Sequence, residues 1–590
     1  MAEDLVVGID VGMSGTGVAY RRKGYGKVTA LGWGIDEKDP KTPTRVFYNP
    51  HDQPPKLVGW GMEVPDDSVE HYELHEWFKV DLGAVDTDKV QVGTKRKYKD
   101  FLTCLFRELS TQRFTPALLG QRFEETRVLF LFSVPALWDP AVVHDFTQLI
   151  RESGFEKEGL RSVRVTMTEP QAVAAYEICV PNSDYKLKNG ENVLIVDAGG
   201  GTTDFCLLKM DDSYEKPPQA MELAPPTACK TGSTYIDRDF QRMVVTYLQD
   251  KRDSLTRDIE DVSLDMRNSN LFHMEKHAFD PDTFGDLNFD IPLKNSARHD
   301  SKDSSPPATF VLTGESFGSL FNHQIDVINE EIRRFVRAFV TDSGTNSENH
   351  LDYIVLAGGL GSSRYVRGKI REFIEELPFK PAAKPKVVMS AEPRLAVCMG
   401  LVHNAGRNPE LFPRRYNRVS IGVASQSLTG EIKKSHFRSF MKRAFLRAPK
   451  GQKPGGEVEW VLVKTAYFSA DLPPDKRMWE LAILHSFESD IDRLTLEDNF
   501  RVHSVLRVNL SRIGEPEKTG GGDVLSRLHL APKPKVPIKF DLRIEVGLAT
   551  VEVYCTDKKG RLCSEPMSIE IGQESESLPS TGQSAVYELS

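Results

Sequence analysis

Gly8-Ile9-Asp10-Val11-Gly12-Met13-Ser14-Gly15-Thr16-Gly17 and Val196-Asp197-Ala198-Gly199-Gly200-Gly201-Thr202-Thr203-Asp204 are two versions of one pattern. Each is an apolar, β-rich run, then an aspartate, then a turn rich in glycine and hydroxyls, then a second apolar run. Asp10 and Asp197 stand 187 positions apart, about a domain's length, which predicts a fold of duplicated halves. The turn chemistry suits phosphate. Glycines let backbone N–H groups close around anionic oxygens, and Ser or Thr hydroxyls add donors. A carboxylate just before the turn can hold the hydrated Mg²⁺ that accompanies a polyphosphate. One such turn alone is more often an ordinary hairpin; two in duplicated halves favour a nucleotide.

The 590 residues carry 39% hydrophobic and 27% charged side chains, the balance of a soluble globular protein, with length for roughly four domain-sized units. A net charge of −9 argues against wholesale binding of nucleic acid or acidic membrane. The N-terminal Met-Ala-Glu-Asp-Leu-Val-Val runs directly into the first strand, without the features of a signal peptide. The most apolar run, Val128 to Trp138, holds Ser133 and Pro135 and is too short for a bilayer. Seven scattered cysteines without a CxxC pair suit buried thiols in a reducing compartment, so the expected location is cytoplasmic. The histidines show no metal-ligand spacing.

Residues 5–20 read as two strands around the first turn, and about Glu70 to Glu108 reads as helical, with Lys95–Lys99 as a solvated helix start. Pro140–Ser153 has helical periodicity and ends at Gly154, a C-cap signal. Val163–Tyr176 reads as a strand followed by a helix with Pro170 in its first turn. Val387–Gly400 repeats that device around Glu392-Pro393. The small residues of both helices predict that the two pack closely. A further strand, Tyr353–Ala357, opens through Gly358-Gly359 into a helix and offers flat backbone on which a ring can stack. Past Pro409 the pattern alternates like β-strands, with Ala531–Pro537 as a connection and a polar, disordered tail from about Gly572.

In this order the motifs resemble the actin/hexokinase/heat-shock ATPase superfamily, and specifically a divergent member of the 70-kilodalton heat-shock family, over roughly residues 5–405. The resemblance implies an α/β fold: a two-lobed, actin-like ATPase of duplicated ribonuclease-H-like halves, followed by a mostly β C-terminal domain. It places lobe I at 1–190, lobe II at 191–375, a helix returning to lobe I at 376–410 and the β-rich domain at 411–571. It implies ATP or ADP and Mg²⁺ as cofactors. By it, Asp10 and Asp197 hold the hydrated metal, Glu169 orients the attacking water, and Thr202 sits beside the γ-phosphate. The phosphates lie against Gly12, Met13 and Ser14 of one turn and Gly199, Gly200, Gly201, Thr202 and Thr203 of the other, near Gly232. Gly358, Gly359 and Arg364 frame the adenosine, and Lys276 lies along its ring and sugar.

Departures from the family pattern bear on hydrolysis. Met13 stands where a threonine is usual, and His273 and His277 where Glu and Arg are usual. Glu63 aligns at or near the catalytic lysine, and a carboxylate there would repel phosphate by about 3 kcal/mol at ~6 Å and an effective dielectric of ~20. Lys56 and Lys79 are the candidate replacements. The usual hydrophobic-acidic linker and helical lid are missing from the pattern. Two functions stay open: a slow, chaperone-like ATPase whose nucleotide state controls protein binding through the β-domain, and a non-hydrolysing, nucleotide-dependent scaffold. A small-molecule kinase would need an Asp base beside a substrate pocket, and no motif resembles one. Glu431–Lys450, with Phe437, Phe440, Met441, Ala444 and Phe445 at helical spacing, reads as a basic amphipathic helix for the β-domain or an acidic partner.

Overall fold

The first sheet has six strands, of which four make its centre and the short pairs Thr29–Ala30 and Thr42–Pro43 lie along one of these. β1 (Leu5–Val11) pairs antiparallel with β2 (Gly15–Arg22) and parallel with β3 (Val128–Val134), which pairs parallel with β4 (Arg161–Thr168). The second sheet repeats this scheme. β5 (Asn192–Ala198) pairs antiparallel with β6 (Thr203–Met210) and parallel with β7 (Tyr353–Ala357), which pairs parallel with β8 (Lys386–Met389). The hairpins share a register as well: Asp10 lies opposite Gly17, and Asp197 opposite Asp204. Every residue of β1, β3, β5 and β7 is buried, the condition of strands covered on both faces, which is why they read as near-continuous apolar runs with Asp10 and Asp197 only towards the ends. The protein is thus α/β, with mixed sheets.

This computed structural model describes residues 3–65, 72–83, 88–136, 138, 140–180, 182, 184–210, 219–294, 308–341, 350–377, 384–405 and 411–412, and β-rich segments between 414 and 570. The polar tail expected from about Gly572 lies outside them. The chain divides into two units. One comprises Met1–Leu137, Thr147–Pro218 and Pro226–Gly406; the other comprises Trp138–Phe146, Gln219–Pro225 and Arg407–Ser590.

In the first unit, helix α1 spans Asp88–Glu108, so Lys95–Lys99 fall in its middle rather than at its start. Before it, Glu73–Glu76 is a strand paired with Arg45–Asn49 rather than part of a charged, poorly amphipathic helix, and Val80–Gly83 is a single 3-10 turn. Helix α2 (Glu169–Cys179) begins as expected, with Thr168 and Gln171 closing a capping box and Pro170 in the first turn. Three helices follow the second hairpin, α3 (Ser233–Leu248), α4 (Ile259–Arg267) and α5 (Asn270–Ala278); later come α6 (Arg364–Glu376) and α7 (Ala396–Asn404).

The second Glu-Pro does not copy the first. Glu392 and Pro393 form a turn, the carbonyl of Pro393 accepts the N–H of Gly358 at 2.8 Å, and α7 begins only at Ala396. Its small residues nonetheless do what was expected. A Cβ on Gly400 would lie 1.8 Å from the carbonyl oxygen of Ala172, so α7 and α2 touch backbone to backbone. A Cβ on Gly8 would lie 2.3 Å from the carbonyl oxygen of Cys398, so α7 is also pressed onto β1.

The second unit contains two four-stranded antiparallel sheets. In Lys535–Val546, Phe540, Leu542 and Ile544 are buried with strict alternation. Pro537 belongs to this strand, opposite Tyr467, at a position where pairing with the second neighbouring strand has not yet begun, the edge-like placement that proline tolerates. The predicted basic helix is corrected too: Phe437–Met441 and Phe445–Arg447 are strands, and Phe437–Met441 pairs with Ser420–Ser425. The rest of 431–450 lies outside the described residues. No helix among the described residues is long and apolar enough to cross a membrane, and all seven cysteines are free.

Candidate functional site

The two glycine turns meet. A Cβ on Gly200 would lie 3.0 Å from Ser14 Oγ, and one on Gly201 would lie 2.9 Å from Met13 Cγ and Sδ. Met13 is buried in this contact, its flexible thioether filling the space that the glycines leave open. The second turn is anchored from behind by the start of α3: the N–H of Ser233 donates to Gly199 O at 3.1 Å, while the N–H and hydroxyl of Thr234 donate to Gly200 O at 2.9 and 2.8 Å. Gly232 is extended, and its requirement is space, since a Cβ there would lie 2.3 Å from Gly200 O. Thr203 is fully buried and donates to Thr231 O at 3.1 Å. Gly358 adopts φ +81° with its Cβ position 2.6 Å from Asp197 Oδ1, so the turn after β7 closes on the end of β5. Gly359 faces open space, and Arg364 is exposed at the start of α6.

Beneath the turns lies a buried cluster of four carboxylates, Asp10, Glu169, Asp197 and Asp204, with two lysines. Lys41 Nζ donates to Asp10 Oδ2 at 2.6 Å, and Lys79 Nζ donates to Glu169 Oε1. Asp204 is held from two sides, accepting the hydroxyl of Thr202 at 2.8 Å and the N–H of Ala136 at 2.6 Å. Burial raises the Glu169 carboxyl to about 7, with Lys79 opposing and Asp204 and Asp10 reinforcing the rise. Burial, then Glu169, Asp10 and Asp204, holds Asp197 well above the ordinary carboxylate range against the pull of Lys41. Burial disfavours the charge of Lys41, yet Asp10 first, then Cys398 and Asp197, keep its ammonium above the usual value. The cluster therefore carries less negative charge at neutral pH than four carboxylates would, which suits an anion arriving between the turns.

Glu63, expected at the lysine position, is exposed in the turn after Lys56–Trp60. The buried cation beside Glu169 is Lys79; Lys56 is exposed. Lys276, expected along a nucleotide ring, is instead buried in an ion pair with Asp237 of α3. Burial and then Lys276 depress both neighbouring imidazoles, His273 and His277, the latter to about 4. At neutral pH both therefore offer uncharged rings.

Magnesium between Asp10 and Asp197, which the resemblance implies, does not fit this arrangement. A dication and the Lys41 ammonium about 4 Å apart on one carboxylate would repel by about 8 kcal/mol at an effective dielectric of ~20. Among the described residues, no three His, Cys, Asp or Glu side chains form a metal-holding group. Sequence reading passed over Lys41 entirely. Its signal was the alternate glycines Gly15 and Gly17 within a strand, a mark of close approach by another group. Asp204 closes the second motif in sequence, and nothing local to it marks it as a member of the buried cluster. No protein-family model matches this chain, and neither does any curated protein.

Proposed function

We propose that the chain binds the phosphates of ATP or ADP between its two glycine turns and hydrolyses ATP slowly, as a divergent relative of the 70-kilodalton heat-shock ATPases. On this reading the duplicated sheets are the two lobes of an actin-like fold. The observation that carries it is the direct contact of Met13 and Ser14 with Gly200 and Gly201 above one buried cluster of acids and lysines. Turn N–H groups and hydroxyls supply donors to phosphate oxygens, and Lys41 and Lys79 supply positive charge. The open backbone at Gly359 and the exposed Arg364 are where a base and ribose would rest. Changes at the phosphates then bear on protein binding by the β-rich unit.

Glu169 is the general base. Its carboxyl, poised at about 7, can take a proton from water near neutral pH, but it is half protonated there and tied to Lys79. Turnover well below the typical ~10 s⁻¹ is expected. Phosphate release from ATP should be measured against pH for the wild type and Glu169→Gln. The expected result is a rate that rises through pH ~7 in the wild type and falls at least about 100-fold in the variant, with nucleotide binding retained. A variant as fast as the wild type would remove Glu169 from the reaction. Binding without any turnover would leave a nucleotide-dependent scaffold.

A further inference from the structure

The first turn is built around a lysine. Lys41 precedes Thr42-Pro43, which pairs with Thr16 and Gly15 at the start of β2, and the hydroxyls of Thr16 and Thr44 meet at 2.9 Å to fix that pairing. The aliphatic stem of Lys41 then runs along the glycines. A Cβ on Gly15 would lie 3.2 Å from Lys41 Cβ, one on Gly17 would lie 3.2 Å from Lys41 Cε, and one on Gly12 would lie 3.9 Å from Nζ. Any larger side chain at Gly15 or Gly17 would crowd the stem. Nζ ends 2.6 Å from Asp10 Oδ2, and the lysine side chain is 18% exposed where Asp10 is 6% exposed. Lys41 is therefore the more exposed side chain of the pair, and its ammonium lies within electrostatic reach of Asp197. It donates one proton to Asp10 and has two further N–H groups for an anion.

Resting on the nucleotide reading above, we propose that Lys41 is the resident counter-cation of the phosphate site, so that a nucleoside di- or triphosphate binds without a divalent metal. A polyphosphate needs positive charge beside the first turn, and the glycine-lined track delivers it from the chain itself. Asp10 then serves as the anchor that aims Nζ.

The test is calorimetric titration of full-length protein with ADP, in EDTA and in excess Mg²⁺, for the wild type, Lys41→Met and Lys41→Arg. Wild-type affinity is expected to agree within about threefold between the two conditions. Lys41→Met should bind about 10–100-fold more weakly in EDTA, the loss of one charge-assisted contact, and recover with Mg²⁺ once Asp10 is uncovered. Lys41→Arg should keep metal-free binding. Wild-type binding that falls about 100-fold or more in EDTA would overturn the proposal, and so would Lys41→Met binding like the wild type in EDTA. The wild-type comparison stands even if a variant fails to fold. Absence of ADP binding in both conditions would instead sink the nucleotide reading, and this proposal with it.

Discussion

A buried glutamate whose carboxyl titrates near neutrality makes stability depend on pH as well as chemistry. Glu169 rises from 4.5 to about 7 on folding, chiefly through burial. The folded state thus binds its proton more tightly than the unfolded chain. That contribution is fully present below pH ~4.5 and is lost as pH rises through ~7, up to about 3 kcal/mol for the whole shift. The ligand-free protein should accordingly lose melting temperature between about pH 5.5 and 8. Glu169→Gln, of the same shape but without the titration, should flatten that slope. Thermal melts of both proteins across the range decide it, and parallel slopes would assign the effect to another group.

Among the elements, the segment Glu73–Lys79 is held from both sides of the site. Phe78 is buried, edge-on to Tyr98 and Phe101 of α1, with ring centroids 4.9 and 6.4 Å away. Trp77 has φ +60°, a strained value for a bulky residue, and its ring lies under the guanidinium groups of Arg238 and Arg267 at 5.1 and 4.4 Å. Arg267 also pairs with Glu76 and donates to Gln241 at 3.0 Å. Two residues past Trp77, Lys79 reaches Glu169. Arg267→Ala should cost about 3 kcal/mol by leaving Glu76 with only the positive charge of Arg45 nearby, and Arg267→Lys should recover little, because one ammonium cannot serve carboxylate, amide and ring together. Urea melts measure the first effect. Faster hydrogen exchange at 73–79 would show the segment released, and unchanged exchange would mean that Phe78 alone holds it. None of this was legible in sequence, because a charged strand beside a tryptophan gives no period. By contrast, the four buried strands and the capped start of α2 were legible, since their apolar runs and Thr-Glu-Pro-Gln cap act locally. Glu392-Pro393 misled because proline at a helix start is a preference, and here its carbonyl is spent on Gly358. The Phe437–Phe445 pattern misled because apolar spacing fits either a helix or a strand until a pairing partner is known.

At the scale of the whole molecule, the two sheets repeat one topology, and only tertiary structure shows what the repeat is for: it brings turns 187 residues apart into van der Waals contact. A ligand between those turns must bind both, since each supplies only half of the donors. Its stabilisation should follow mass action, about 2.7 kcal/mol at ~100 times the dissociation constant. It should also appear as slowed hydrogen exchange at 12–14, 199–202 and 358 together, because each turn is braced by a different backbone: Thr44 donates to Ser14 O, Ser233 and Thr234 to Gly199 and Gly200, and Gly358 to Pro393. Exchange measured on the full chain with and without ADP separates the alternatives. Protection at all three turns is the expected result. Protection confined to one turn would mean an anion held by a single hairpin, and protection only within the strands between 458 and 570 would place the nucleotide in the β-rich unit.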